Sequence, residues 1–147
     1  VHMTGVPSIP VMENYTDNLL RFERICDWAY GLIREFNPEF IAIEGYSMGS
    51  AIGRAFDIAE NTALLKYKFH RNRHPYLVYP PTVIKKYATG KGNASKIAMR
   101  DSFIEETGVN LNDVLGLKTQ KPTNPVSDII DAYYIAKLLY EDRDQLI

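Results

Sequence analysis

The apolar positions of this chain fall into alternating helical and strand-like periods. Leu19, Phe22, Cys26, Ala29, Ile33 and Phe36 recur at three- and four-residue steps, which predicts an amphipathic helix over Tyr15–Phe36. Thr16 is its expected N-cap, and Asn37-Pro38 ends it, because a residue before proline avoids helical geometry. Phe40-Ile41-Ala42-Ile43 is a short unbroken apolar run, the pattern of a strand covered on both faces. A second helix is expected from about Ala51 to Phe69, and Tyr76-Leu77-Val78-Tyr79 is a second buried strand closed by Pro80-Pro81. Three more helices follow: a short one from Pro81 to Ala88 ending at Gly90, one from Ser95 to Glu106 stopped by Gly108, and a last from Pro125 to about Asp142. Proline suits the first position of that last helix.

Helices alternating with strands predict a layered α/β domain with a mixed, mostly parallel central sheet flanked by helices. The length of 147 residues suits one domain spanning 1–147. Two strands are few for such a sheet. The segment before Tyr15 adds one short strand at most, since Pro7 and Pro10 restrict pairing. The Phe40–Ile43 strand is therefore expected to lack a neighbour on one side, with N-terminal strands missing from the sheet.

Composition is that of an ordinary globular protein, and it excludes more than it assigns. Cys26 is the only cysteine, so no intrachain disulfide and no thiolate metal cluster can form, which fits a reducing, cytoplasmic setting. No apolar run approaches a membrane span, and no secretory signal opens the chain. The net charge of −1 hides an asymmetry. Between Asn61 and Arg100 there is no Asp or Glu, while Lys66, Lys68, Arg71, Arg73, Lys85, Lys86, Lys91, Lys96 and Arg100 all fall there. A basic block in an otherwise acidic chain reads either as a polyanion-binding surface or as a solvated loop and helix.

Three carboxylates stand out against that background. Glu44 closes the first apolar strand, and ligands in open α/β sheets collect at the carboxyl ends of strands. Asp128 and Asp131 stand three apart on the last helix, on a stripe continued by the apolar Ile135 and Leu138. The stripe is thus expected to face inward, where two aspartates repel and lose hydration unless a cation compensates them. Helix-dipole stabilisation of acids in the first turns is the plainer reading, and it suits Asp128 better than Asp131. Hard oxygen donors suit Mg²⁺ or Mn²⁺ and the hydrolysis of phosphodiesters.

Two decoys fail. Gly45-Tyr46-Ser47-Met48-Gly49 matches the G-x-S-x-G elbow of serine hydrolases. That chemistry needs an acid and then a histidine downstream; of His2, His70 and His74 none follows Asp128, and Asp57 with His70 keeps the order but leaves no strands between them to mount a triad. Thr89-Gly90-Lys91-Gly92 lacks the full pattern of a phosphate-binding P-loop. His70 and His74 flank Arg71 and Arg73 without nearby acids, which favours phosphate contact or plain exposure over metal binding.

Taken together, Ile-Ala-Ile-Glu at 41–44, the basic segment, and Asp-Ile-Ile-Asp-Ala-Tyr-Tyr-Ile-Ala at 128–136 resemble the RuvC-like Holliday-junction resolvases of the ribonuclease H-like superfamily. Lys85, the turn Gly90-Lys91-Gly92 and Lys96 are similar to that family's DNA-contacting stretch. The resemblance implies a metal-dependent endonuclease that resolves four-way or other branched DNA as a homodimer in the cytoplasm, the host's cytoplasm for a phage protein. It implies Glu44, Asp128 and Asp131 as ligands of Mg²⁺ or Mn²⁺, Lys96 as a catalytic phosphate contact, and Lys85, Lys86, Lys91, Lys96, Arg71 and Arg73 as the DNA-binding set. Tyr46 would stand where the family inserts an aromatic wedge into the junction. The family's first strand, with its own catalytic aspartate, has no counterpart in this sequence, and Asp17 lies at a helix start. Hence a truncated domain is expected, and a catalytically impaired module that binds branched DNA is the alternative.

Overall fold

The computed structural model describes residues 18–46 and 52–145. Thr16, Ser47 and the N-terminal prolines therefore lie outside the described residues. Six helices and two strands follow in the order α1 (Asn18–Phe36), β1 (Ile41–Glu44), α2 (Ile52–Arg71), β2 (Tyr76–Tyr79), α3 (Pro81–Thr89), α4 (Lys96–Thr107), α5 (Leu111–Val114) and α6 (Val126–Asp142), then a 3₁₀ turn at Arg143–Gln145.

The helix ends obey their residues. Pro81 opens α3, and Gly90 closes it at φ 77°. Ser95 caps α4 by accepting from the amide of Ala98, and Gly108 ends it at φ 69°. Left-handed geometry of this kind costs a residue with a Cβ, which is why glycine holds both ends. Pro125 takes the cap position of α6, so the helix starts one residue later than expected.

β1 and β2 pair in parallel, with Ala42 opposite Leu77 and Glu44 opposite Tyr79. Side chains alternate along a strand, so Ala42 and Glu44 share one face. That face meets the main core, where Tyr79, Ile84, Met99, Phe103, Leu111, Val126, Ile130, Tyr134 and Leu138 pack together with Ala42 and Leu77 against them. The parity of β1 thus aims Glu44 toward α6. A smaller layer joins α1 to α2 through the buried Phe22, Cys26 and Phe69, and the Phe69 ring meets Tyr76 of the opposite sheet face at a tilt of 58°.

One expectation needs correcting. β1 was expected to be covered on both faces, yet Ile41, Ala42 and Ile43 are only half-buried and Glu44 is exposed. The cause is the narrow sheet. Among the described residues β1 has β2 as its sole strand neighbour, and an apolar cavity of about 340 Å³ runs beside it, lined in part by Ile33, Phe40, Ile41, Ala132, Ile135 and Leu139.

Candidate active site

At the carboxyl end of β1 lies a cavity of about 170 Å³ lined by Glu44, Pro81, Lys85, Lys96, Met99, Ser127, Ile130 and Asp131. Four elements contribute its charges. β1 ends on Glu44, α3 supplies Lys85, α4 begins on Lys96, and α6 presents Asp131 in its second turn. The Gly45 amide donates to the carbonyl of Tyr79 at 2.8 Å, which holds the end of β1 against β2 just beyond Glu44. The turn between the two lysines depends on a close approach. A Cβ at Gly92 would stand 3.1 Å from the carbonyl oxygen of Thr82, which leaves little room for any larger residue.

Both carboxylates are shifted upward. Burial pushes the Glu44 carboxyl above its ordinary range, the charges of Asp131 and Asp128 add to this, and Lys85 opposes it. Asp131 is likewise raised, first by burial and then by Asp128, with Lys96 and Lys85 pulling the other way. Acids held this way gain from any nearby cation. Lys96 donates to the Ser127 hydroxyl at 3.2 Å and forms no ion pair with either acid.

Asp128 behaves differently. It is exposed, stands outside the cavity lining, and accepts a long contact of 3.3 Å from Ser127 Oγ. Among the described residues no three His, Cys, Asp or Glu side chains gather within reach of one ion. The donor set present is Glu44 and Asp131, two hard oxygen ligands in a half-desolvated, mutually repelling pair, and that chemistry fits Mg²⁺ or Mn²⁺.

The other basic residues spread outward. Lys86 and Lys91 are exposed around the turn after α3, and Arg71 and Arg73 are exposed at the end of α2, outside the cavity. His74 contacts the Tyr30 hydroxyl at 3.4 Å, and His70 is exposed. Tyr46, 47% exposed, leans back on α2: its hydroxyl donates to the Ala59 carbonyl at 3.4 Å and the Lys66 ammonium lies 5.0 Å from its ring centre. Ser127 was not foreseen. A serine in the first turn of a helix is so common that nothing in the sequence marked it out.

No family model matches the chain. It is 34% identical over 91 residues to a crossover junction endodeoxyribonuclease RuvC of Cytophaga hutchinsonii, and 36% identical over 91 residues to one of Porphyromonas gingivalis. Each match takes in 58% of this chain but only 42% and 45% of the relatives, so the chain spans less than half the length of the curated relatives it matches. Among solved structures, Thermus thermophilus RuvC matches at a TM-score of 0.64 with 18% identity, covering 96% of this chain and 78% of that one. The same protein in complex with a Holliday junction substrate matches at 0.57 with 14% identity, over 96% and 79%. The likeness over 96% of the chain gives it a ribonuclease H-like fold. In fold the chain is similar to Thermus thermophilus RuvC, and over 91 residues its sequence is similar to the two RuvC relatives.

Proposed function

We propose that this chain is the catalytic domain, or most of it, of a cytoplasmic Mg²⁺- or Mn²⁺-dependent endonuclease that resolves four-way DNA junctions. The observation that supports this most is the convergence of Glu44, Asp131, Lys85 and Lys96 on one cavity at a strand's carboxyl end. Glu44 and Asp131 would hold the ion, with Asp128 beside them. When bound, such an ion lowers the pKa of water and stabilises charge on phosphate oxygens. Lys96 and Lys85 neutralise the phosphate that enters between the acids, and in doing so orient it. Lys86, Lys91, Arg71 and Arg73 extend the cationic track for flanking phosphates, and the exposed ring of Tyr46 offers a flat apolar surface to an unstacked base. No helix among the described residues is long and apolar enough to cross a membrane.

The test is cleavage of a synthetic four-way junction in Mg²⁺ against the same sequence as a linear duplex. Preferential cutting of the junction supports the proposal, and cutting of both alike refutes junction selectivity. A second reading is favoured by the absence of a three-acid cluster among the described residues. In it the chain binds branched DNA without cutting it, and binding falls steeply with salt while no product forms in either Mg²⁺ or Mn²⁺.

Four-way junctions have two-fold symmetry, and α2 offers a surface for a two-fold homodimer. Phe56, Glu60, Ala63, Tyr67 and Arg71 form an exposed stripe at three- and four-residue steps, with Phe56 and Tyr67 66% and 60% exposed. Antiparallel pairing of two copies about Ala63 sets Phe56 and Glu60 of each against Arg71 and Tyr67 of the other. Phenyl ring then meets guanidinium and carboxylate meets phenol, the same two pairs from both copies, as an isologous contact requires. Tyr67→Glu is expected to convert a dimer to a monomer in light scattering without changing the circular dichroism. An unchanged mass in the variant would exclude this face.

A further inference from the structure

Among the described residues, Ser127 joins the acid-bearing α6 to Lys96 at the cavity. It is 4% exposed, and it lies in the first turn of α6 beside Asp128. Its hydroxyl accepts from Lys96 Nζ at 3.2 Å. A serine hydroxyl has a single proton to give, and an ammonium can only donate. That proton therefore goes to Asn124 Oδ1 at 2.8 Å, or to Asp128 Oδ1 at 3.3 Å. The hydroxyl is thereby saturated on one side by the turn before α6 and on the other by Lys96.

The consequence concerns what Lys96 does not do. It acts electrostatically on Asp131, yet no ion pair joins the two. A flexible lysine close to a half-desolvated aspartate would ordinarily pair with it directly, because opposite charges attract more strongly where water is partly excluded. Such a pair would neutralise Asp131 and use up the ammonium's donors. We infer that Ser127 is a positioning residue that holds the Lys96 ammonium away from Asp131, leaving its remaining N–H groups for phosphate and the Asp131 oxygens for a cation. This inference rests on the nuclease reading for its purpose, but not for its geometry.

The test uses the full chain with its lysines reductively dimethylated with ¹³C, which preserves their charge and one N–H, and the Lys96 methyl signal assigned by its absence in Lys96→Arg. Ser127→Ala removes the hydroxyl, and Ser127→Cys fills nearly the same space with a far weaker hydrogen-bonding group. In both variants the Lys96 signal is expected to move while the Lys85 signal stays, with no DNA or metal present. Cleavage kinetics are expected to show kcat about tenfold lower and the Mg²⁺ concentration for half-maximal rate about tenfold higher, with KM for the junction changed by less than about threefold, the range typical of lost outer partners at metal sites. An unmoved Lys96 signal in both variants overturns the inference, as does a signal that moves equally for Lys85. A parent protein that neither binds nor cuts junctions would instead sink the nuclease reading and leave the methyl signals to decide this one.

Discussion

Asp131→Asn is expected to slow Mg²⁺-supported junction cleavage by roughly 10³-fold or more while leaving the melting temperature unchanged or up to ~4 °C higher. The substitution keeps shape and hydrogen-bonding capacity and removes one negative charge. Loss of a metal-binding oxygen forfeits about 4 kcal/mol of charge stabilisation in the transition state, which gives the factor. The stability effect has the opposite sign to that of an ordinary ion-paired aspartate. Asp131 is raised by burial and by Asp128, so the folded state holds its proton more tightly than the unfolded chain does. Its ionisation therefore costs stability as pH rises past the usual carboxylate range, and Asn removes that cost. Single-turnover cleavage and a thermal melt of the same samples check both halves. Junction affinity should stay within about threefold, because the lysines remain. Full cleavage by the variant would exclude Asp131 from the site, and a large drop in melting temperature would mean that its charge is structural. If the chain only binds DNA, neither protein cuts, and the variant binds more tightly for want of a repelling charge.

The sequence made the helix boundaries legible because they rest on residues with few conformations open to them. Pro81, Gly90, Ser95 and Gly108 mark ends where they were expected. The place of Glu44 at the carboxyl end of β1 was legible too, since it follows directly on the apolar run at 41–43. Coverage of β1 was not. A continuous apolar run looks the same whether a strand has two packed faces or one packed face and an apolar groove. The two aspartates show the resolution of spacing arguments. Residues three apart stand about 60° apart around a helix axis, close enough to share a stripe and far enough that Asp131 enters the cavity while Asp128 stays exposed. α5 left no periodic trace in four residues. It is held from below by the buried Asn112, whose amide donates to the carbonyls of Thr119 and Lys121, a tertiary arrangement that local pattern does not encode.

Phe103→Ala is expected to cost about 3–4 kcal/mol and about 10 °C in melting temperature, a large share of the ~5–15 kcal/mol that holds a domain together. Phe103 is 3% exposed, sits in the main core, and meets the Tyr133 ring edge-on at 5.0 Å, so it ties α4 to α6. Urea denaturation should show a lower midpoint with an unchanged slope, and Phe103→Leu, which keeps most of the volume, should cost less than about 1.5 kcal/mol. The functional effect should precede unfolding. Lys96 stands two turns before Phe103 on the same helix, whereas Glu44 and Asp131 are borne by β1 and α6. Loosening α4 displaces the lysine before it parts the acids. In Phe103→Ala, then, cleavage should fall at temperatures below the onset of the far-ultraviolet transition. Loss of cleavage and of helical signal along one curve would show that α4 does not move independently, and that Lys96 is held by the fold as a whole.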